Sequence, residues 1–180
     1  KEKNKDGKGV RKGYIWAALA NKKKLIQYFY ENGSRSREVL TNYIGNQYKG
    51  AIQSDGLINY KILETDAYPD IIRLACFQHC KRQFLDIEND KEAIGIVNTI
   101  NRLYQAEHKI EEKWPPDKIL KYRQKYAPPI LAELKSKLLE IQSNPSTLPK
   151  SPLSKAANYT LNEYDALCNY IVSPDYALDN

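Results

Sequence analysis

Gly50-Ala51-Ile52-Gln53-Ser54-Asp55-Gly56-Leu57-Ile58-Asn59-Tyr60 decides how the chain is read. A short apolar run ends in a carboxylate followed at once by glycine. Such a run is consistent with a buried strand. Gly56 permits a sharp turn and lets a ligand approach the backbone closely. A carboxylate at the C-terminal edge of a strand is well placed to hold a divalent cation, which takes hard oxygen ligands. Ser-Asp-Gly is also an ordinary turn tripeptide, and this stretch alone reads as a turn. Its flanks shift that weighting.

Downstream, Leu57 to Glu64 reads as a short helix, Tyr68-Pro69-Asp70 as a turn, and Ile71 to Cys76 as a second short apolar strand. Two strands joined this way form a right-handed parallel crossover, so their C-terminal ends share one edge of the sheet. Ligands of open α/β sheets collect at that edge. Asp55 should therefore lie beside Cys76-Phe77-Gln78-His79. A helix is expected from Gln78 to Ile87. Upstream, Gly13–Ala20 and Leu25–Tyr30 read as an antiparallel hairpin around a polar turn, Asn21-Lys22-Lys23-Lys24. Ser34 or Ser36 can cap the next helix, which carries Val39, Leu40, Tyr43 and Ile44 and stops at Gly45. If the second hairpin strand runs parallel to the others, its exit brings Arg35 and Arg37 to the same edge. A helix N-terminus there favours anions, and arginines add bidentate phosphate donors.

From Lys91 onward no strand signal appears. Ile94, Val97, Ile100 and Tyr104 mark a helix to about Lys113, stopped by Trp114-Pro115-Pro116. A basic helix from Lys118 to Tyr126 is expected to break at Pro128-Pro129, with another running on to Ile141. Ser143–Pro152 reads as a loop and Ala156–Val172 as the last helix. Lys1–Lys12 is nearly all polar and reads as a flexible basic loop. The expected organisation is a loop over 1–12, a sheet with helices over 13–90, a helical insertion over 91–173, and a short closing motif over 174–180.

With 180 residues, 42% apolar and 28% charged, one core or one domain with a sizeable insertion can be built. No run has the length of a membrane span and no secretory signal is present. Three cysteines, odd in number and unevenly spaced, fit reduced thiols in a cytoplasm better than a disulfide framework. A net charge of +6 favours a polyanionic partner, against the plainer reading of a solvated surface. Methionine is absent and Leu178-Asp179-Asn180 closes without a cap, so the chain reads as a fragment.

Cys76-x-x-His79-Cys80 admits a zinc reading, a thiol nucleophile with His79 as base, or a locally satisfied histidine. Lys81, Arg82, Lys150 and Lys155 are phosphate-contact candidates, with solvated charge as the alternative. The Lys118–Lys125 run reads as a solvated face. Most of the 14 tyrosines read as amphipathic core residues rather than a single-strand platform.

Several stretches resemble the bacterial transposases of insertion sequence family sixty-six in their catalytic domain. They are Gly13-Tyr14-Ile15-Trp16; Ser34-Arg35-Ser36; Gly50 with Gln53-Ser54-Asp55-Gly56 and Tyr60; Cys76-x-x-His79 with Lys81-Arg82 and Phe84; Leu103-Tyr104 with Glu107; Lys150-Ser151-Pro152-Leu153 with Lys155-Ala156 and Tyr159; and Asp179-Asn180. Departures are Leu57 in place of an aromatic, Phe77-Gln78 in place of Trp-Ala, and Gln83 in place of a basic residue.

The resemblance implies a ribonuclease-H-like mixed α/β fold, here lacking its first strand, with a large all-helical insertion. It implies that two Asp and one Glu hold two divalent metals, Mg2+ or Mn2+, for in-line attack on a phosphodiester of DNA at the transposon ends. Asp55 maps to the second of those acids. His79 faces the active edge, and Glu107 is read as a buried polar contact. The first Asp lies upstream of Lys1 and the Glu after Asn180, so this chain is expected neither to hold metal tightly nor to cut DNA. The missing strand would leave two sheet edges unpaired, inviting a homodimer unless the strand pairs close on each other. The rivals are a non-catalytic DNA-binding or regulatory module, such as a transposase remnant, and a helical protein-interaction domain.

Overall fold

The computed structural model describes residues 2–3, 10–20 and 23–180. Within the expected N-terminal loop, β1 (Glu2–Lys3) pairs antiparallel with β2 (Val10–Arg11). The rest of that loop's core, residues 4–9, lies outside the described residues, as do Asn21 and Lys22 of the expected polar turn.

The hairpin forms as read. β3 (Trp16–Ala20) runs antiparallel to β4 (Leu25–Phe29), with Trp16 opposite Phe29. Trp16 is buried, stacks on Phe29 at 5.7 Å and meets the Tyr60 ring edge-on at 6.3 Å. With Val39 and Leu40 of α1 (Arg37–Ile44) it forms a small separate core. α1 ends at Gly45, whose φ of 67° is a conformation that costs glycine nothing. Ser36 occupies the N-cap position but makes no side-chain cap; its N–H donates to Ser34 Oγ instead.

β5 (Gly50–Gln53) and β6 (Ile71–Leu74) pair in parallel, Gly50 opposite Ile71 through Gln53 opposite Leu74. The 3-10 helix Ile58–Glu64 lies in the connection. Among the described residues the strands form three two-stranded sheets, so the hairpin does not join β5 and β6 in one sheet. The hairpin is anchored through Trp16 to α1 and the 3-10 helix, by side-chain packing and not by a ladder with β5 or β6.

The main core is helical. α2 (Phe77–Leu85), α3 (Lys91–Glu107), α4 (Pro116–Ser143) and α5 (Pro152–Cys168) bury Phe77, Phe84, Ile100, Leu103, Leu138 and Leu167 together. α3 stops at Glu107 rather than Lys113, with His108 in the C-cap position. α5 starts four residues earlier than expected. Ser151 caps it by accepting from the Ser154 N–H, and Pro152 fills the first helical position, where no donor is needed. A 3-10 turn, Asn169–Val172, follows.

The expected break at Pro128-Pro129 is absent, for α4 runs unbroken through both prolines. Each interior proline costs a helix about 3 kcal/mol. Ile130, Leu131, Leu134, Leu138 and Ile141 are buried on the same helix, at about 1.5–3 kcal/mol each. Packing outweighs the two defects. The carbonyls deprived of partners belong to Gln124 and Lys125, which are exposed and reach water. Pro129→Ala should therefore stabilise the chain by about 2 kcal/mol, part of the helix gain being offset by a freer unfolded chain. Urea unfolding followed by circular dichroism should show a higher midpoint with an unchanged slope.

Candidate active site

The parallel pair brings two strand ends together. The Ser54 N–H donates to the Leu74 carbonyl at 3.0 Å, carrying the pairing past β5 to the residue before Asp55. The Asp55 carboxylate then emerges at the edge, about one-third exposed. Its Oδ1 accepts from the Leu57 N–H at 3.1 Å, a local turn bond. Its Oδ2 faces Arg35 Nη2 at 3.5 Å. At that distance and exposure the pair is loose, worth no more than about 1 kcal/mol. Arg35 also lies over the Tyr14 ring at 5.1 Å, and its carbonyl accepts from Asn59 Nδ2 at 2.6 Å. The loop before α1 is thus tied to the segment after Asp55.

Gly56 is needed for close approach, though by a different neighbour from the ligand expected. Its N–H donates to Tyr159 Oη at 3.0 Å, and a Cβ added there would stand 2.5 Å from that oxygen. Tyr159 belongs to α5, and burial pushes its phenol up to about 12. Beside it lies a cavity of about 330 Å3 lined by Lys61, Asn162 and Glu163. Lys61 is already engaged there by Glu64, Glu163 and the Asn162 carbonyl.

The chain after Ser173 crosses the same edge as a strap. Gln53 Nε2 donates to the carbonyls of both Ala75 and Ala177, at 3.1 and 2.9 Å. The Phe77 N–H donates to the Leu178 carbonyl at 2.9 Å. Asp179 Oδ1 accepts from the Gln78 N–H at 2.9 Å and from the Tyr104 hydroxyl at 2.6 Å. This carboxylate caps α2 from a hundred residues away. Burial first, then the hydrogen bond to Asp179, holds the Tyr104 phenol well above its usual range.

Behind the strap, Arg123 Nη1 donates to the carbonyls of Ser173 and Tyr176 at 2.9 and 2.8 Å. Its Nε and Nη2 bind the Glu107 carboxylate at 2.7–3.1 Å. Glu107, expected as a polar contact, orients the arginine that carries the strap. Nothing local marks Arg123 as the holder of a strap 50 or more residues further on, and Asp179, noted in the closing motif, gives no sign that it caps a helix 101 residues earlier.

Of the groups expected at one rim, the carboxylate of Asp55 and the guanidinium of Arg35 are in contact. His79, in the first turn of α2, makes no hydrogen bond to either, and its Nδ1 is buried without a partner. Lys81 sits over the Tyr104 ring at 5.3 Å. Arg37, Arg82, Lys150 and Lys155 are exposed, with no ion pair among the described residues. Lys155 precedes Tyr159 by four residues, on the face of α5 turned to Gly56.

The cysteine readings fare differently. Cys80 is buried and its thiol is pushed up to about 12 by desolvation. Burial also raises Cys76, whose Sγ lies 3.7 Å from Asp179 Oδ1. Protonated thiols are poor nucleophiles and poor metal ligands. Among the described residues no group of three or more His, Cys, Asp or Glu could hold a metal ion. A divalent cation needs several oxygens; this edge carries Asp55 and Asp179, and Asp179 Oδ1 is already taken by the Gln78 N–H and the Tyr104 hydroxyl, so the donors present do not fit such an ion by themselves. No helix among the described residues is long and apolar enough to cross a membrane.

A family model described as "Transposase IS66 family" matches residues 2–180. The chain is also 30% identical over 151 residues to "Uncharacterized protein y4jD" of Sinorhizobium fredii (strain NBRC 101917 / NGR234), a match covering 79% of this chain and 28% of that protein. The chain therefore spans less than a third of that relative. No solved structure matches it.

Arg123→Ala should leave Glu107 unpaired beneath the strap and cost about 3 kcal/mol. Amide exchange at Phe77 and Gln78 should accelerate in this variant while exchange at Ile100 tracks only the global loss. A second test concerns the thiols. At about pH 8, iodoacetamide should modify Cys76 and Cys80 only on the unfolding timescale, with a burst of labelling after urea is added.

Proposed function

We propose a function for a chain that belongs to the IS66 transposase family: it is part of the catalytic core of a DNA transposase, and Asp55 is its catalytic carboxylate. The observation that carries this reading is the meeting of Asp55 and Arg35 at the end of the parallel strand pair. The strap from 173 to 179 crosses the same edge. Such a rim sets an acid for metal binding beside a guanidinium for phosphate.

The whole protein would cleave and join DNA phosphodiesters, acting in the cytoplasm on transposon ends. Its fold would be ribonuclease-H-like, with a strand from outside these residues lying between the hairpin and β5. The separate two-stranded sheets support this, since among the described residues the hairpin and the β5–β6 pair each keep an unpaired side. In the chain by itself those sides are available to a second copy, which makes a homodimer the expected association. Residues 91–173 would be the helical insertion, and residues 174–180 would open the last catalytic motif. That strand and that motif would add an Asp and a Glu to Asp55, a donor set of the kind that takes Mg2+ or Mn2+. When bound, the metal pair supplies positive charge to the attacking and leaving oxygens.

The chain's own residues would hold and orient the DNA. Arg35 meets phosphate by exchanging its loose hold on Asp55, and Arg37 adds a donor one helical position into α1. His79, Lys81 and Arg82 on α2, with Lys150 and Lys155 at the start of α5, extend the contact along the backbone. A second reading, a DNA-binding or regulatory module without chemistry, draws on the lack, among the described residues, of a group of three or more side chains able to hold a metal ion.

A plasmid-nicking assay tests both readings. The 180-residue chain should not cut in Mg2+. The protein extended to include both flanking segments should cut, and Asp55→Ala should slow it by more than about a hundredfold. Mg2+-dependent nicking by the 180-residue chain that Asp55→Ala abolishes would contradict the inactivity. An extended protein that binds DNA but never cuts would favour the regulatory module.

A further inference from the structure

An aromatic cluster on the helical part belongs to neither hydrophobic core. Trp114 meets Tyr122 edge-on at 5.4 Å, and Tyr122 lies 4.5 Å from Tyr126, one turn further along α4. None of the three packs into the large or the small core. Tyr126 is 43% exposed. Three large rings kept at a surface, in mutual contact, are not explained by folding the chain.

Cations are interleaved with these rings. Lys118 Nζ lies 3.8 Å over Trp114 and Lys125 Nζ 5.1 Å over Tyr126. Next to the rings an open groove of about 510 Å3 runs between the end of α3 and α4. Arg102, His108, Lys109, Tyr122 and Tyr126 line it. From residue 102 to residue 126 there are seven Lys or Arg against four Asp or Glu, so half the chain's excess of +6 falls in this stretch. Two of these cations are taken up by acids of the same stretch, Arg123 by Glu107 and Lys113 by Glu111, and Arg102 pairs with Glu133, which leaves Lys109, Lys118, Lys121 and Lys125 as the cations offered to a ligand.

We propose that this groove binds single-stranded DNA, with bases stacked on Tyr126 and Tyr122 and phosphates met by Lys109, Lys118 and Lys125. Every base offers a π-face to a stacking ring, and each phosphate a charge to a neighbouring cation. A duplex hides its base faces, so an aromatic groove gains little from it. The expected solvated face of Lys118–Lys125 is reassigned by this proposal, because the lysines stand over rings. The inference rests on the reading that the protein acts on DNA, and it adds a second contact site away from Asp55.

The test uses the 180-residue chain with fluorescently labelled oligothymidylate and a labelled duplex. Tyr126→Ala, at a half-exposed position that folding does not depend on, should weaken single-strand binding about tenfold. Tyr126→Phe should restore it, and duplex affinity should not move in either. With Trp16→Phe leaving Trp114 as the remaining indole, its emission should be quenched by the single strand and not by heparin, a polyanion without bases. Unchanged oligothymidylate affinity in Tyr126→Ala overturns the proposal. So does an equal loss for duplex, or quenching by heparin alone. If Arg35→Ala weakens duplex binding while the groove variants are silent, the groove fails and the Asp55 reading stands.

Discussion

Arg73 of β6 and Glu163 of α5 meet in the interior at 2.7 Å, each at most 3% exposed. Glu64 takes the arginine's Nε, and Lys61 approaches Glu163 at 3.2 Å. Removing two charges from water costs several kcal/mol apiece, so the pair is not a source of net stability over an apolar substitute. What it enforces is position. A one-residue slip of β6 would turn Arg73 to the opposite face of the sheet and leave the buried Glu163 with Lys61 alone. Register, and with it which residues reach the strand ends, is held by that penalty. Two further bonds reinforce the same seam: Asn169 Nδ2 to the Arg73 carbonyl, and the Ala75 N–H to the Ala166 carbonyl.

Once α5 is fixed to β6, the rest of the edge follows. α5 can deliver Tyr159 to Gly56 only because it is anchored a turn later at Glu163. The same helix leads into the strap that Arg123 and Asp179 hold down. Against this frame the Asp55–Arg35 pair is slack. A stiff base with a soft charged rim suits a site whose partners arrive from elsewhere, since the groups that must rearrange are the ones least tightly held.

The sequence disclosed the local elements well. The hairpin, α1 with its Gly45 stop, the parallel strands and the early turns of α2 are all set by short-range pattern and punctuation. The contact of Asp55 with Arg35 is expected if the second hairpin strand runs parallel to β5 and β6; it forms without that shared sheet, the Arg35 loop being tied instead to Asn59 of the segment after Asp55. The misreadings have a common cause in tertiary packing. Pro128 and Pro129 carry a local breaking signal that a buried aliphatic stripe overrides. Gly56 looked like room for a ligand and is room for Tyr159, 103 residues away. Asp179 as the cap of α2 carries no local signature, since ordinary caps lie one residue before the helix they serve.

The bonds from Gln53 to Ala177 and from Gln78 to Asp179 span 124 and 101 residues. Closing such distances is slow relative to the helix hairpins that α3, α4 and α5 form among near neighbours. During synthesis, the strand ends leave the ribosome long before the segment that seals them. The intervening helices must therefore assemble first and carry the strap back, and until then the rim around Asp55 is unfinished. Production of this protein is accordingly most exposed to aggregation in the interval between translation of β6 and arrival of residue 179.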